Sequence, residues 1–78
     1  MDLKQTLTDM ARAIVDSPDQ VAVEQETEEN GDITLILTVA PDDAGMVIGR
    51  HGRIAKAIRA VIKAAAMKEN KRVSVEIR

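Results

Sequence analysis

The sequence predicts an α+β domain in which a three-stranded sheet packs against three helices, in the order α-β-β-α-α-β. Three observations predict it. Apolar residues recur at helical spacing near both ends of the chain, three other stretches alternate with a period of two, and prolines, glycines and asparagines stand between these stretches. The 78 residues suit one domain, 1–78, and at this size folding buries only about 60% of the unfolded chain's surface. A large catalytic cleft is not expected.

Leu3, Leu7, Met10, Ala11, Ile14 and Val15 share one helical face, and Ser17-Pro18 breaks the pattern, so a helix is expected from about Leu3 to Asp16. Val21 and Val23 then alternate with Ala22, Glu24, Glu26 and Glu28. Asn30-Gly31 supplies a tight turn tolerant of positive φ, and Ile33, Leu35, Leu37 and Val39 alternate again. This is a β-hairpin with one polar face. Pro41-Asp42-Asp43 starts a short helix, with Pro setting φ and an Asp accepting orphan amide hydrogens; it should end at Gly49. Ile54, Ile58, Val61, Ile62 and Ala65 place a longer helix up to about Lys68, with Asn70 as its stop. Alanines 64–66 inside it point to close packing against a neighbour. Val73, Val75 and Ile77 alternate with Ser74 and Glu76 to give the third strand.

Composition excludes several functions. No cysteine is present, which removes disulfides, thiol nucleophiles and thiolate metal sites and fits a reducing compartment. Apolar runs fall far short of the ~20 residues a membrane span needs, so a cytoplasmic location is expected. Phe, Trp and Tyr are absent, and the core is left to eight Ile, eight Val, four Leu, four Met and eleven Ala. Base stacking on aromatic rings is thereby excluded. The net charge of -2 hides a division: residues 1–40 carry two basic and nine acidic residues, residues 41–78 nine basic and four acidic. The two halves face different surroundings.

The chemistry concentrates in Val47-Ile48-Gly49-Arg50-His51-Gly52-Arg53-Ile54-Ala55-Lys56-Ala57-Ile58, where two glycines three apart join two helices. Without Cβ atoms such a turn lets a phosphodiester approach, and the second helix directs its free amide hydrogens and positive dipole end at the anion. Arg53, Lys56, Arg59 and Lys63 span a sector of roughly 120° opposite Ile54, Ile58 and Val61. From Arg50 to Lys63 there are five basic residues, one histidine and no acid. Taken alone, a cationic helix face is simply solvated; beside this glycine turn it points to binding.

This stretch resembles the Ile-Gly-x-x-Gly-x-x-Ile core of KH domains, and the element order is that of the bacterial type II KH arrangement. More narrowly, the whole chain is similar to the small single-KH-domain proteins of bacteria, the KhpA type, both in Gly49 to Arg59 and in its Lys68 to Arg78 ending. The resemblance implies a loop that clamps about four nucleotides of single-stranded RNA. Gly49 and Gly52 would be the clamp glycines, Arg50 and His51 the pair facing phosphate, and Ile48 and Ile54 part of an apolar groove. Arg53, Lys56 and Arg59 would add affinity. It also implies a homodimer, a heterodimer with a larger KH-containing partner of the KhpB (Jag/EloR) type, and an RNA chaperone or post-transcriptional regulator linked to cell elongation and division.

Other readings are less well supported. Gly45, Gly49 and Gly52 do not match nucleotide-binding glycine spacings, and no Gly-Lys-Ser/Thr follows. His51 is the only histidine and has no carboxylate within the basic stretch, so no metal, cofactor or catalytic residue is implied. Gly45 is expected to be a packing glycine between helices, and Met10, Met46 and Met67 flexible core filler. Glu24, Glu26 and Glu28 read as a solvated face that repels nucleic acid and so fixes the docking side. Two alternatives stay open: a protein-interaction module in which RNA contact is secondary, and an anion or nucleotide site at the glycine turn.

Overall fold

Asp2 starts the first helix: its side chain accepts a hydrogen bond from the Gln5 N–H at 3.1 Å, a typical cap. The structure, a computed structural model, describes residues 2–48 and 52–78. Helix α1 (Leu3–Ile14) buries Leu3, Leu7 and Ala11. It stops short of the expected Asp16 because the next amides are taken elsewhere. The Asp16 and Ser17 N–H groups donate to the two carboxylate oxygens of Asp43 at 3.1 and 3.0 Å. In a continuing helix they would have reached the carbonyls of Arg12 and Ala13. Asp43 is 2% exposed. The expectation that an aspartate here caps its own helix is therefore corrected: Asp43 spends its acceptors across the fold, on the exit of α1.

After a single 3-10 turn at Pro18–Gln20, which the sequence pattern did not indicate, strands β1 (Ala22–Thr27) and β2 (Ile33–Thr38) pair antiparallel. The hairpin closes through Glu29, Asn30 and Gly31. Glu28 N–H donates to the Asp32 carbonyl at 2.8 Å and Gly31 N–H to the Glu28 carbonyl at 2.9 Å. Of the two expected turn residues only Gly31 takes positive φ, at 92°, as in three-residue hairpin loops with a left-handed last residue.

Strand β3 (Val73–Ile77) lies parallel to β2 on its other side, giving the sheet order β1-β2-β3. Parallel neighbours need a long crossover, supplied here by α2 (Pro41–Ile48) and α3 (Arg53–Lys68). The predicted architecture and element order are borne out. Val23, Leu35 and Leu37 face the helices in one cluster with Leu7, Val47, Ile58 and Ile62, and Val73, Val75 and Ile77 pack against it. The opposite face carries exposed Glu24, Glu26, Thr38, Ser74 and Glu76. Ile36 on that face is nonetheless buried; Glu24 and Glu76 stand directly opposite it on the two neighbouring strands.

Four expectations about packing are corrected. In α3 the buried residues are Ala55, Ile58, Ile62 and Ala66, whereas Val61 is 47% exposed. The core-facing stripe is turned toward the cationic side because β3 lies along that flank. Gly45 is exposed and a Cβ there would meet nothing within 4 Å, so it is not a packing glycine. Met46 and Met67 are exposed, and only Met10 packs against the core. Of the three alanines only Ala66 is buried. Asn70 does end α3: with φ 57° it lets its own N–H donate to the Met67 carbonyl and the Lys71 N–H to the Ala66 carbonyl. This pair of bonds is a Schellman motif.

Two stability measurements check this packing. Ile62→Ala should cost about 2–5 kcal/mol, as a buried large-to-small change does, while Val61→Ala, one residue away, should stay within roughly 0.5 kcal/mol; urea unfolding of the pair decides. By the same assay Asp43→Ala should cost about 2–4 kcal/mol by leaving two amides without their charged acceptor, and Asp42→Ala, exposed on the same helix, about 0.5 kcal/mol or less.

Candidate nucleic-acid interface

Gly49, Arg50 and His51, three of the residues expected to touch phosphate, lie outside the described residues. The structure describes what leads into and out of them. Ile48 ends α2 and is 50% exposed. Gly52 begins α3 in the left-handed region, with φ 62° and ψ 29°, a conformation that costs an L-residue energy and glycine none. Among the described residues no side chain caps α3, and its first turn holds no acidic residue. The leading N–H groups and positive end of a 16-residue helix are thus left without a side-chain anion.

From that end Arg53, Lys56, Arg59 and Lys63 run along α3, all exposed, and among the described residues none of them joins an ion pair. Ile54 is half-buried and packs against the core. The helix and β3 enclose a groove of about 410 Å³ lined by Arg59, Lys63, Val73, Ser74 and Val75. Its cationic wall is α3; its other wall is a sheet edge.

The pairing shows what that edge offers. Ile33 N–H donates to the Arg72 carbonyl and Arg78 N–H to the Leu37 carbonyl, so residues 72, 74, 76 and 78 turn their peptide groups toward β2. In a parallel ladder the alternate residues Val73, Val75 and Ile77 then turn theirs outward. Arg59 Nε donates to the outward Val75 carbonyl at 3.3 Å, tethering one of the guanidinium's five donors across the groove. The remaining outward groups are hydrogen-bonding sites suited to the edge of a base or to another strand.

The structure therefore places Gly52 at the N-terminus of α3 and Arg53, Lys56 and Arg59 along the same helix, and it brings Arg59 against β3. Sequence reasoning missed the β3 wall of Val73, Ser74 and Val75, and it placed Lys63 on the cationic stripe without assigning it to the site. The available signal was topological: a β-α-α-β connection favours parallel pairing of its two strands, which puts the last strand beside the last helix. Among the described residues no group of three or more His, Cys, Asp or Glu could hold a metal ion, and no helix is long and apolar enough to cross a membrane.

Comparison with known proteins follows the same lines. The family described as KhpA/KhpB, KH domain, matches residues 4–77. The chain is 61% identical over 75 residues to the RNA-binding protein KhpA of Clostridium acetobutylicum, covering 96% of this chain and 99% of that one. It is 56% identical over 68 residues to the KhpA of Caldanaerobacter subterraneus subsp. tengcongensis, covering 87% of this chain and 89% of that one. Among solved structures it resembles Era in complex with MgGDPNP and nucleotides 1506–1542 of 16S ribosomal RNA, with TM-score 0.66 and 16% identity over 96% of this chain. The chain spans 28% of that Era chain, and the likeness shows the fold alone.

Gly52 carries the prediction this geometry generates. A Cβ there meets nothing within 4 Å, so the left-handed backbone alone sets the cost. Gly52→Ala should lose about 1–2 kcal/mol, and Gly52→Asn, which tolerates this region, should lose less; urea unfolding of the two variants checks the order.

Proposed function

The chain belongs to the KhpA/KhpB family of KH domains, and from that premise we propose that it is a non-catalytic RNA-binding protein. It holds single-stranded RNA between the α2–α3 glycine loop and the groove of α3 and β3. The observation that carries this is the N-terminus of α3, uncapped by any side chain among the described residues, and a row of four cations along the same helix that join no ion pair among those residues, beside a sheet edge. Phosphates would sit at residues 49–52 and along Arg53, Lys56 and Arg59. Bases would lie on the aliphatic floor of Val73 and Val75, which needs no aromatic side chain. The relatives named as RNA-binding proteins support the same reading. So does the acidic outer face of the sheet, where Glu24, Glu26 and Glu76 repel a polyanion and leave the helical side for docking.

One such module offers few contacts, so pairing is useful: linked sites raise the effective concentration without new contacts. We place the protein as a homodimer and as a partner of a larger KhpB (Jag/EloR)-type protein, acting in the cytoplasm as an RNA chaperone or regulator in cell elongation and division. Apolar surface for pairing is present in the exposed Met46 and Ile48 of α2 and Val61 of α3. This surface also favours a second reading, in which the domain works chiefly through protein contacts and RNA is secondary.

Binding of a short single-stranded RNA, beside its duplex and DNA versions, to the wild type and to Arg50→Asp/His51→Asp at two salt concentrations separates the two. Both glycines stay, so the fold should survive. Under the RNA reading the single strand is preferred, the variant loses roughly tenfold or more, and log K falls with log salt at a slope of about -2 for ~3 neutralised phosphates. Equal or absent binding in both proteins would assign the main role to protein partners.

A further inference from the structure

We propose that the RNA groove does not end with the clamp but runs on to a second nucleotide site at the far end of α3, formed by Lys63, Met67, Lys71 and Arg72. The inference rests on the RNA-binding reading above and extends its footprint. A second cleft of about 370 Å³ lies there, and it shares Lys63, Val73 and Ser74 with the groove beside Arg59. The two cavities share the wall formed by Lys63, Val73 and Ser74, so the second opens beside the first, toward the β2 side of β3. Sixteen residues of helix rise about 24 Å, so a strand of about four nucleotides clamped at residues 49–52 leaves this end to the nucleotides that follow.

The lining has the chemistry of a nucleotide. Met67 is 67% exposed, more than any other large apolar side chain described, and it lines the cleft together with Ile33 and Ala66. An unbranched thioether lying open beside an aliphatic wall is a surface for a flat apolar ring. Lys71 and Arg72 are exposed yet are presented from a fixed backbone. The Lys71 N–H is held by the Ala66 carbonyl, and the Arg72 carbonyl by the Ile33 N–H, both at 2.9 Å. Among the described residues Arg72 joins no ion pair, and Lys71 feels the Glu69 carboxylate two residues before it.

Two features argue against a bare phosphate site and for a whole nucleotide. The end of α3 is the negative end of its dipole, although the Asn70 turn occupies the carbonyls of Ala66 and Met67. The facing wall also carries Glu28 and Asp32. A free anion gains little between three cations and two carboxylates. A nucleotide uses both walls, its phosphate against Lys63, Lys71 and Arg72 and its amino or 2′-hydroxyl donors toward the carboxylates.

The test compares one RNA sequence at about four and about ten nucleotides, bound to three proteins: wild type, Lys71→Glu/Arg72→Glu, and Lys4→Glu/Arg12→Glu. The last makes the same charge change on α1, away from both cavities. The short RNA should bind the first two alike. The long RNA should bind the wild type and the α1 variant about tenfold or more tighter than the short one, and this gain should fall to a few-fold, the value expected from binding in several registers, in Lys71→Glu/Arg72→Glu. The second site is overturned if that variant keeps the wild-type gain, or if the α1 variant loses as much, which would make the effect one of net charge. Failure of the wild type to bind RNA of either length would instead remove the RNA-binding reading, and the second site with it.

Discussion

Helix α3 has to bury one stripe and expose another along sixteen residues, and the way it meets both demands decides where everything else can lie. Its buried positions are two isoleucines flanked by two alanines: Ala55, Ile58, Ile62 and Ala66. The isoleucines supply the apolar area, about 1.5–3 kcal/mol each for full burial, while alanine keeps the helix surface low at both ends of the stripe. At 100° per residue, Arg59 then stands next to the buried face and Lys63 just beyond it. A helix with its core stripe centred on Ile54 and Val61 would have turned both cations to open solvent, away from β3. The hydrogen bond from Arg59 to the Val75 carbonyl follows from the burial of Ile58 and Ile62.

The rest of the chain holds that arrangement in place. Strand β3 reaches the side of α3 because the crossover through α2 and α3 delivers it parallel to β2. Asp43, at the start of the same crossover, ties α2 to the exit of α1 through two hydrogen bonds. The uneven charge of the two halves acquires a spatial meaning in the same way. The acidic half supplies β1, with Glu24 and Glu26 on the outer sheet face, and the basic half supplies the cationic stripe of α3 and the turn after it. A polyanion approaching such a molecule is oriented before it makes any contact.

The element order was legible because it is carried by local signals: periods of 2 and 3.6, a proline, an asparagine, a glycine at the start of α3. What was not legible depended on neighbours distant in sequence. Alanine fits buried and exposed positions alike, so the pattern Ile54, Ile58, Val61 outweighed Ala55 and Ala66 and placed Val61 inside. Asp43 has the side chain of a helix cap and sits where one is expected; its true partners lie 26 and 27 positions away. Gly45 and the exposed methionines were misjudged for the same reason, since identity alone does not tell what stands opposite. In the site, the cationic stripe could be read from spacing, whereas its facing wall became visible only with strand pairing.

The two flanks of α3 bear on how RNA and a second chain would share the domain. Val61 lies about 160° around the helix from Arg59, on the side away from the β3 groove. The other exposed apolar side chains near the loop, Met46 and Ile48, belong to α2, which packs against α3. A second chain covering Val61 would therefore leave the Arg59 side and its groove open. Two such domains joined through that flank would each keep a cationic groove, and an RNA held by one would meet the second at a raised effective concentration. Pairing through Val61 would leave the Arg59 side free for RNA, whereas pairing that also covered Ile48 would compete with RNA at that end of α2.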